Sequence, residues 1–239
     1  MARLDFANAR IGARRARLLG DAEVRELLAR PDLEARLELL GRRGIGPPRL
    51  DEIVRGPDPL GAVEAALRVG VQREGVRILA EAEGRRVRSL LAAFLELEAP
   101  RALRAVLRGI VAGAPLDAIV EMAPATPELP PARIRELAAC GTVEEVAGRL
   151  ESWGGALGPA LRSALAERRE RGLLPAEVAL ERAAVGRARE ACRRAGEDAR
   201  LFRAHLRDRV DVRNAETLLV MAGTPAVPEL FVAGGARID

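Results

Sequence analysis

His205, Cys140 and Cys192 are the only histidine and cysteines of this 239-residue chain, and their side chains are suited to acid–base, nucleophilic or metal chemistry. A histidine can act as a general base, but no serine or cysteine nucleophile stands in a recognisable motif near "FRAHLRDR". One histidine and two distant cysteines do not make a structural zinc site. Both cysteines lie in apolar helical contexts, which predicts buried free thiols. We therefore predict no catalytic residue and no metal site, and a surface or packing role for His205.

The glycine-rich and acidic stretches do not predict nucleotide chemistry either. The stretches "GIGPP" and "GGALG" lack the pattern of a dinucleotide-binding turn, and a chain without lysine cannot supply the lysine of a P-loop. Glu96 and Glu98 are too close in sequence to suggest an acid–base pair, so we expect them to cap or solvate a helix. The sequence therefore predicts no cofactor.

Arginine supplies all 39 basic residues, against 35 acidic residues, and the formal net charge is +4. The two signs alternate at helical spacings, as in "EVRELLARPDLEARLELL", which is typical of solvent-facing helix surfaces with ion pairs. The clusters "RIGARRAR" and "ERRERG" could contact phosphates, but solvated helix faces are the favoured interpretation. An arginine-rich helical-repeat scaffold that binds protein or nucleic acid is therefore an alternative function.

Helices must position these residues, because 49% of the chain is hydrophobic, only 2% is aromatic, and strong helix formers dominate. No alternating stretch is long enough to predict a sheet, so we predict an all-α fold. Thr142 and Glu145 have capping-box spacing, and Pro100 is expected to kink or restart a helix. Without an apolar leader or a membrane-spanning apolar run, the chain is expected to be intracellular and peripheral at any membrane.

A helix opening of the form Asp-x-x-Asn-Ala occurs twice, at Asp5–Asn8 and at Asp211–Asn214. In both copies the aspartate is expected to be the N-cap of a helix. A helix over 197–209 would then be followed by a last helix that begins near the second aspartate. A middle copy, in "EAPRALRAVLRGIVAG", has Ala99 and Ala102 in the two polar positions. The pattern by itself fits two interpretations, unrelated helices with the same kind of N-cap and three pseudo-repeated helical lobes, at 1–75, 76–155 and 156–239.

Three longer segments resemble, in order, the signature regions of the C subunit of A/V-type rotary ATPases, which corresponds to the d subunit of eukaryotic V-type pumps. The segments are "FANARIGARRARLL", "LLAAFLELEAPRALRAVLRGIVAGAPLDAIV" and "LRDRVDVRNAETLLVMAGTPAVPELFVAGG". The order and spacing of the segments extend the resemblance over nearly the whole chain. The positions that match the family's motifs are Asn8, Ala9, Arg10, Leu18 and Leu19 in the first segment, Leu103, Val106, Leu107, Arg108 and Gly113 in the second, and Asp211, Asn214, Gly223, Phe231, Gly234 and Gly235 in the third.

The resemblance implies a non-catalytic, all-helical, funnel-shaped protein with internal pseudo-threefold repetition. It implies a central-stalk role, in which the shaft subunits of the soluble ATPase head are seated on the membrane rotor ring of proteolipid subunits. ATP hydrolysis or synthesis would thereby be coupled to ion transport. Such a protein would have no membrane span and no nucleic acid partner, and would lie peripherally at the cytoplasmic face of the plasma membrane.

The chain departs from the family pattern near its C-terminus. It stops at Asp239, shortly after the third segment, where the resemblance implies a longer chain. The third lobe and one wall of the funnel are therefore expected to be incomplete. An apolar face around Leu218, Leu219 and Phe231 is then expected to lie exposed.

Overall fold

The computed structural model describes residues 19–42, 58–82, 84–166, 172–222 and 227–237. Throughout these ranges the regular elements are α-helices and short 3₁₀ helices without any strand, which confirms the all-α prediction. The chain divides into two compact units, Met1–Ala82 and Glu83–Asp239. The division into three lobes stays a prediction.

The described helices of the first unit are α1 (Asp21–Ala29), α2 (Leu33–Arg42) and α3 (Pro59–Glu81). Aspartates satisfy backbone donors at two helix starts, because the side chain of Asp32 accepts from the N–H of Ala35 at 2.8 Å and that of Asp58 accepts from Gly61 at 3.0 Å. The small core of this unit is aliphatic. It contains Leu37, Leu40 and Val63, surrounded by Leu19, Leu27, Leu33 and Leu67.

The second unit contains eight of the described α-helices. They are α4 (Arg85–Leu95), α5 (Ala99–Val111), α6 (Leu116–Met122), α7 (Pro131–Ala138), α8 (Val143–Trp153), α9 (Leu157–Leu165), α10 (Leu174–Ala195) and α11 (Arg200–Val220). There are also three 3₁₀ helices in this unit. Glu96–Glu98 follows α4, Gly196–Ala199 precedes α11, and Pro228–Leu230 follows α11. The predicted restart at Pro100 is confirmed, since the proline occupies the first turn of α5.

The capping box predicted at the start of α8 is present in a shifted form. The hydroxyl of Thr142 accepts a hydrogen bond from the backbone N–H of Glu145 at 3.2 Å, as expected. The carboxylate of Glu145 accepts from the N–H of Gly141, at 2.8 Å, one residue before the threonine.

Helix α5 forms the centre of the main core of the second unit. Its side chains Leu103, Val106 and Leu107 are fully buried among residues of α6 to α10. Ala99 and Ala102, which replace Asp and Asn in the middle copy of the repeat, are also fully buried. Alanine suits these positions because a buried carboxylate or amide would need polar partners there.

Gly113 ends α5 in the left-handed conformation, with φ of 65°. Its N–H donates to the carbonyl of Ile110 at 3.1 Å, and the N–H of Ala114 donates to that of Gly109 at 2.9 Å. This pair of bonds is a Schellman motif, which satisfies carbonyls that the last helical turn leaves unpaired. The glycine of the second signature segment is therefore required by the backbone conformation.

The last helix differs from the prediction. The sequence predicted a helix over 197–209 and a new helix from Asp211, whereas α11 runs without a break from Arg200 to Val220. Asp211 lies in its interior, so the N-cap interpretation of this aspartate is wrong. The stretch around it contains neither glycine nor proline, and its polar side chains bind a distant segment of the chain instead of the local backbone.

Glu96 is also placed differently from the prediction. It is only 5% exposed, so it does not solvate a helix. Its carboxylate accepts from the hydroxyl of Thr126 at 2.9 Å and from the backbone N–H of Glu128 at 2.6 Å. Burial raises the pKa of this carboxyl group, while the bond to Glu128 opposes the shift. Glu96 therefore anchors the loop between α6 and α7.

Candidate functional site

The third signature segment folds back on itself. After α11, residues 227–237 (the C-terminal segment) return across α10 and α11. Leu230 and Val232 of this segment are buried, and Val232 packs with Val185 of α10 and Val210 of α11. Polar side chains from both helices hold the backbone on either side of these two anchors.

Asn214 is the central polar contact. It is 0% exposed. Its side-chain amide bonds the backbone of Val232 as a neighbouring β-strand would, with one donated and one accepted hydrogen bond. The Nδ2 group donates to the carbonyl of Val232 at 2.9 Å, and the N–H of Val232 donates to Oδ1 at 2.9 Å. Only an amide supplies a donor and an acceptor at this spacing, which explains why asparagine suits this position better than aspartate.

Asp211 lies one turn before Asn214, on the same face of α11. Its two carboxylate oxygens accept from the backbone N–H groups of Ala236 and Arg237, at 3.1 Å in each case. Hydrogen bonds to an ionised acceptor are stronger than neutral ones. The Asp-x-x-Asn spacing therefore fixes two points of the C-terminal segment on a single helix.

Two arginines of α10 hold the same segment from the other side. Arg182 donates through Nε at 3.0 Å and through Nη2 at 2.6 Å to the carbonyl of Phe231. Arg189, two turns further along α10, donates to the carbonyl of Ala233. These two arginines, together with Asp211 and Asn214, form what we call the clamp. Arg182 and Arg189 could not be predicted from the sequence, because nothing in their local sequence distinguishes them from the other arginines.

The glycine pair of the third segment lies beside the clamp. Gly234 has φ of 91°, and a Cβ atom there would overlap the guanidinium group of Arg189. Gly235 and Phe231 are half-buried, and it is the carbonyl of Phe231 that takes part in the clamp. Leu219 is 77% exposed and Leu218 is 47% exposed, as predicted. Phe231, which was expected to belong to the same exposed apolar face, is not exposed.

Arg108, from the second signature segment, joins α5 to α10. It forms a bidentate pair with Glu177, through Nε to Oε1 at 2.6 Å and through Nη2 to Oε2 at 2.9 Å. Glu177 is 3% exposed, and its Oε2 atom also lies 3.3 Å from Nε of Arg104. A buried carboxylate requires such compensation, and these two arginines of α5 supply it.

Arg209 of α11 extends this network. It donates to Glu98 at 2.7 Å and to the carbonyl of Leu97 at 2.6 Å, and its Nε lies 3.7 Å from Glu181. Burial raises the pKa of Glu181, and the charges of Arg209 and Arg104 oppose that shift. Glu177 and Glu181 occupy successive turns of α10, so the network connects α5, α10 and α11.

The remaining predicted residues have the following positions. Asn8, Ala9 and Arg10 of the first segment and Gly223 of the third lie outside the described residues. His205 is exposed, with its ring 5.4 Å from that of Phe94. Cys192 is a buried free thiol, as predicted, whereas Cys140 is only half-buried.

Within the described ranges, no group of three or more histidine, cysteine, aspartate or glutamate side chains is placed to hold a metal ion. In the same part of the chain, no helix has both the length and the apolarity to cross a membrane. The clamp and the ion-pair network are arrangements that fix helices and a chain segment relative to one another.

Comparison with known proteins gives two findings. A family model described as "ATP synthase (C/AC39) subunit" matches residues 7–239. The C subunit of the A-type ATP synthase of Haloferax volcanii is 28% identical to this chain over 246 residues, which cover 97% of this chain. The match covers 66% of that relative, so the chain spans slightly less than two thirds of its length.

Proposed function

Because the chain belongs to the ATP synthase (C/AC39) subunit family, we propose that it is a non-catalytic coupling subunit of an A/V-type rotary ATPase. In this role it seats the rotor shaft of the soluble head on the rotor ring in the membrane. The observation that carries the proposal is the family match, which extends over residues 7–239. The relative in Haloferax volcanii is named as a subunit of an A-type ATP synthase.

The buried polar contacts of the second unit support a mechanical role. A coupling subunit must transmit torque without yielding, so its helices need specific, directional connections in addition to apolar packing. The bidentate pair of Arg108 with Glu177 and the bonds of Arg209 to Glu98 supply such connections between α5, α10 and α11. Such directional contacts between buried polar groups favour one arrangement of the helices over its alternatives.

The partners follow from the proposed role. They are the central-stalk shaft subunits on one side and the proteolipid rotor ring on the other. The protein would then be a peripheral component at the cytoplasmic face of the plasma membrane. We also propose that the chain is built of three pseudo-repeated helical lobes, and that the signature residues Asn8, Ala9, Arg10 and Gly223 have structural roles in them.

Co-purification tests this proposal. The chain is tagged and incubated with the shaft subunits and, separately, with the detergent-solubilised rotor ring of the same source, in moderate salt. Retention of either partner is expected, and retention of neither would contradict the proposal. A duplex DNA sample is the control, because binding that weakens steeply with salt would favour the arginine-rich scaffold instead.

A further inference from the structure

A pocket of about 450 Å³ opens between α10, α11 and the C-terminal segment. Its base is formed by Cys192 and Leu206, which are both buried. Gly234 and Gly235 form one edge. The volume falls in the range of about 300–1,000 Å³ that is common for small-molecule sites.

Four arginines line this pocket, and none of the carboxylates that the structure describes does. Arg189 and Arg193 come from successive turns of α10, and Arg203 and Arg207 come from successive turns of α11. The i, i+4 spacing within each pair places the two guanidinium groups on one helix face. The four side chains therefore surround a single volume with positive charge.

Nearby carboxylates neutralise only part of this charge. Glu190 accepts from Nε of Arg193 at 2.9 Å but is shared with Arg194. Glu197 lies 3.7 Å from Arg203, and its side chain is 93% exposed, so water screens this pair. Among the residues that the structure describes, Arg189 and Arg207 are in no ion pair. The pocket therefore carries a positive charge that the described part of the protein does not balance.

Backbone contacts hold two of the four arginines in place. Arg203 donates through Nη1 to the carbonyl of Gly196 at 2.6 Å, and Arg189 donates through Nη2 to that of Ala233. A guanidinium group has five N–H donors, so most donors of both groups remain available to a ligand. Their planar fork matches the geometry of phosphate oxygens.

We propose that this pocket binds an anionic ligand that presents two or more phosphate groups. The ligand is either a soluble oligophosphate or the headgroup of a phospholipid with two phosphates, and the chemistry of recognition is the same for both. Arg189 belongs both to the pocket and to the clamp on the C-terminal segment, so a bound anion would also stabilise that segment. This inference does not depend on the proposed coupling role.

The first test is a titration of the chain with inorganic tripolyphosphate in a calorimeter, at constant ionic strength. We expect binding of one ligand per chain and a rise in the melting temperature with ligand concentration. The double variant Arg203→Gln/Arg207→Gln should bind at least about tenfold more weakly. Arg207→Gln alone removes no hydrogen bond that the structure describes, so it serves if the double variant does not fold.

The matched control is Arg101→Gln, which removes an exposed arginine of α5 that lies outside the pocket. It should bind tripolyphosphate as tightly as the unmodified chain. Equal weakening in this control and in Arg207→Gln would overturn the proposal, since it would show only general attraction to a basic protein.

Vesicle flotation distinguishes the two sources of phosphate. Flotation with vesicles that contain cardiolipin but not with pure phosphatidylcholine vesicles, and its loss in Arg207→Gln, would identify a lipid headgroup. Binding of tripolyphosphate without flotation would identify a soluble ligand. Failure to bind either probe would overturn the proposal.

Discussion

Replacing Asn214 by alanine removes both hydrogen bonds to Val232 and leaves a buried N–H and a buried carbonyl unpaired. Each unpaired buried group costs about 1–3 kcal/mol, so the two together cost about 2–6 kcal/mol. The neighbouring Ala233 is exposed, so water can reach the carbonyl after a small movement of the segment. We therefore expect Asn214→Ala to lower the free energy of unfolding of the second unit by about 2–4 kcal/mol.

Urea unfolding can measure this effect through the fluorescence of Trp153, the single tryptophan of the chain, which packs against the core of the second unit. Hydrogen exchange at the amide of Val232 reports the local loss of protection. The matched control is Leu219→Ala, a substitution on the same helix at a side chain that is 77% exposed. It should change the free energy of unfolding by less than about 0.5 kcal/mol.

A second substitution, Asn214→Asp, tests only the hydrogen bond that Nδ2 of Asn214 donates to the carbonyl of Val232. The introduced carboxylate keeps the acceptor for the N–H of Val232 but faces its carbonyl without a hydrogen to donate. Burial beside that carbonyl raises the pKa of the introduced group in the folded state, so the variant gains stability relative to the unmodified chain as the pH falls. We expect it to be less destabilised near pH 4 than near pH 7. If Asn214→Ala were no more destabilising than Leu219→Ala, the two bonds to Val232 would not contribute to stability, and the clamp would be refuted.

Three further predictions concern other contacts of the second unit. Asp211→Asn replaces the carboxylate that accepts from the N–H groups of Ala236 and Arg237 by a neutral amide. Hydrogen exchange at these two N–H groups should therefore be faster, and the free energy of unfolding should fall by about 1 kcal/mol. Gly113→Ala should cost about 1–2 kcal/mol, because alanine is strained at φ of 65°; a smaller loss in urea unfolding would contradict the Schellman assignment. Glu96→Gln should become more favourable relative to the unmodified chain as the pH rises above the ordinary value of a glutamate, because the raised pKa makes ionisation of the buried carboxyl destabilising. Unfolding curves at several pH values would show this trend, and a difference that does not vary with pH would contradict it.

The elements that the sequence predicted well are those set by local physics. Thr142 was recognisable as a cap because its hydroxyl bonds the backbone three residues later, whatever the rest of the fold does. The start of α5 at Ala99 follows from the proline that comes next. The helical class follows from the dominance of good helix formers and the shortage of aromatic and β-branched residues.

The elements that sequence reasoning missed depend on distant partners. An aspartate and an asparagine three residues apart can cap the start of a helix. In the interior of a helix the same spacing places both side chains on one face, where they can bind the backbone of a segment that crosses that face. Asp211 does the latter, and its partners Ala236 and Arg237 are far along the chain. Glu96 was misplaced for the same reason, because Thr126 and Glu128, which make its burial possible, belong to another loop. The sequence alone singles out the Asp-x-x-Asn pattern, but it does not show which backbone groups these side chains bind.

The proposed coupling role is tested most directly in membrane vesicles of the source cell from which this chain has been removed. ATP hydrolysis by the attached heads and ATP-driven ion uptake are measured before and after the purified chain is added back. Removal of the chain should abolish ion uptake, and the added chain should restore it in proportion to the amount bound. Ion uptake that is unchanged by removal of the chain would contradict a role in coupling.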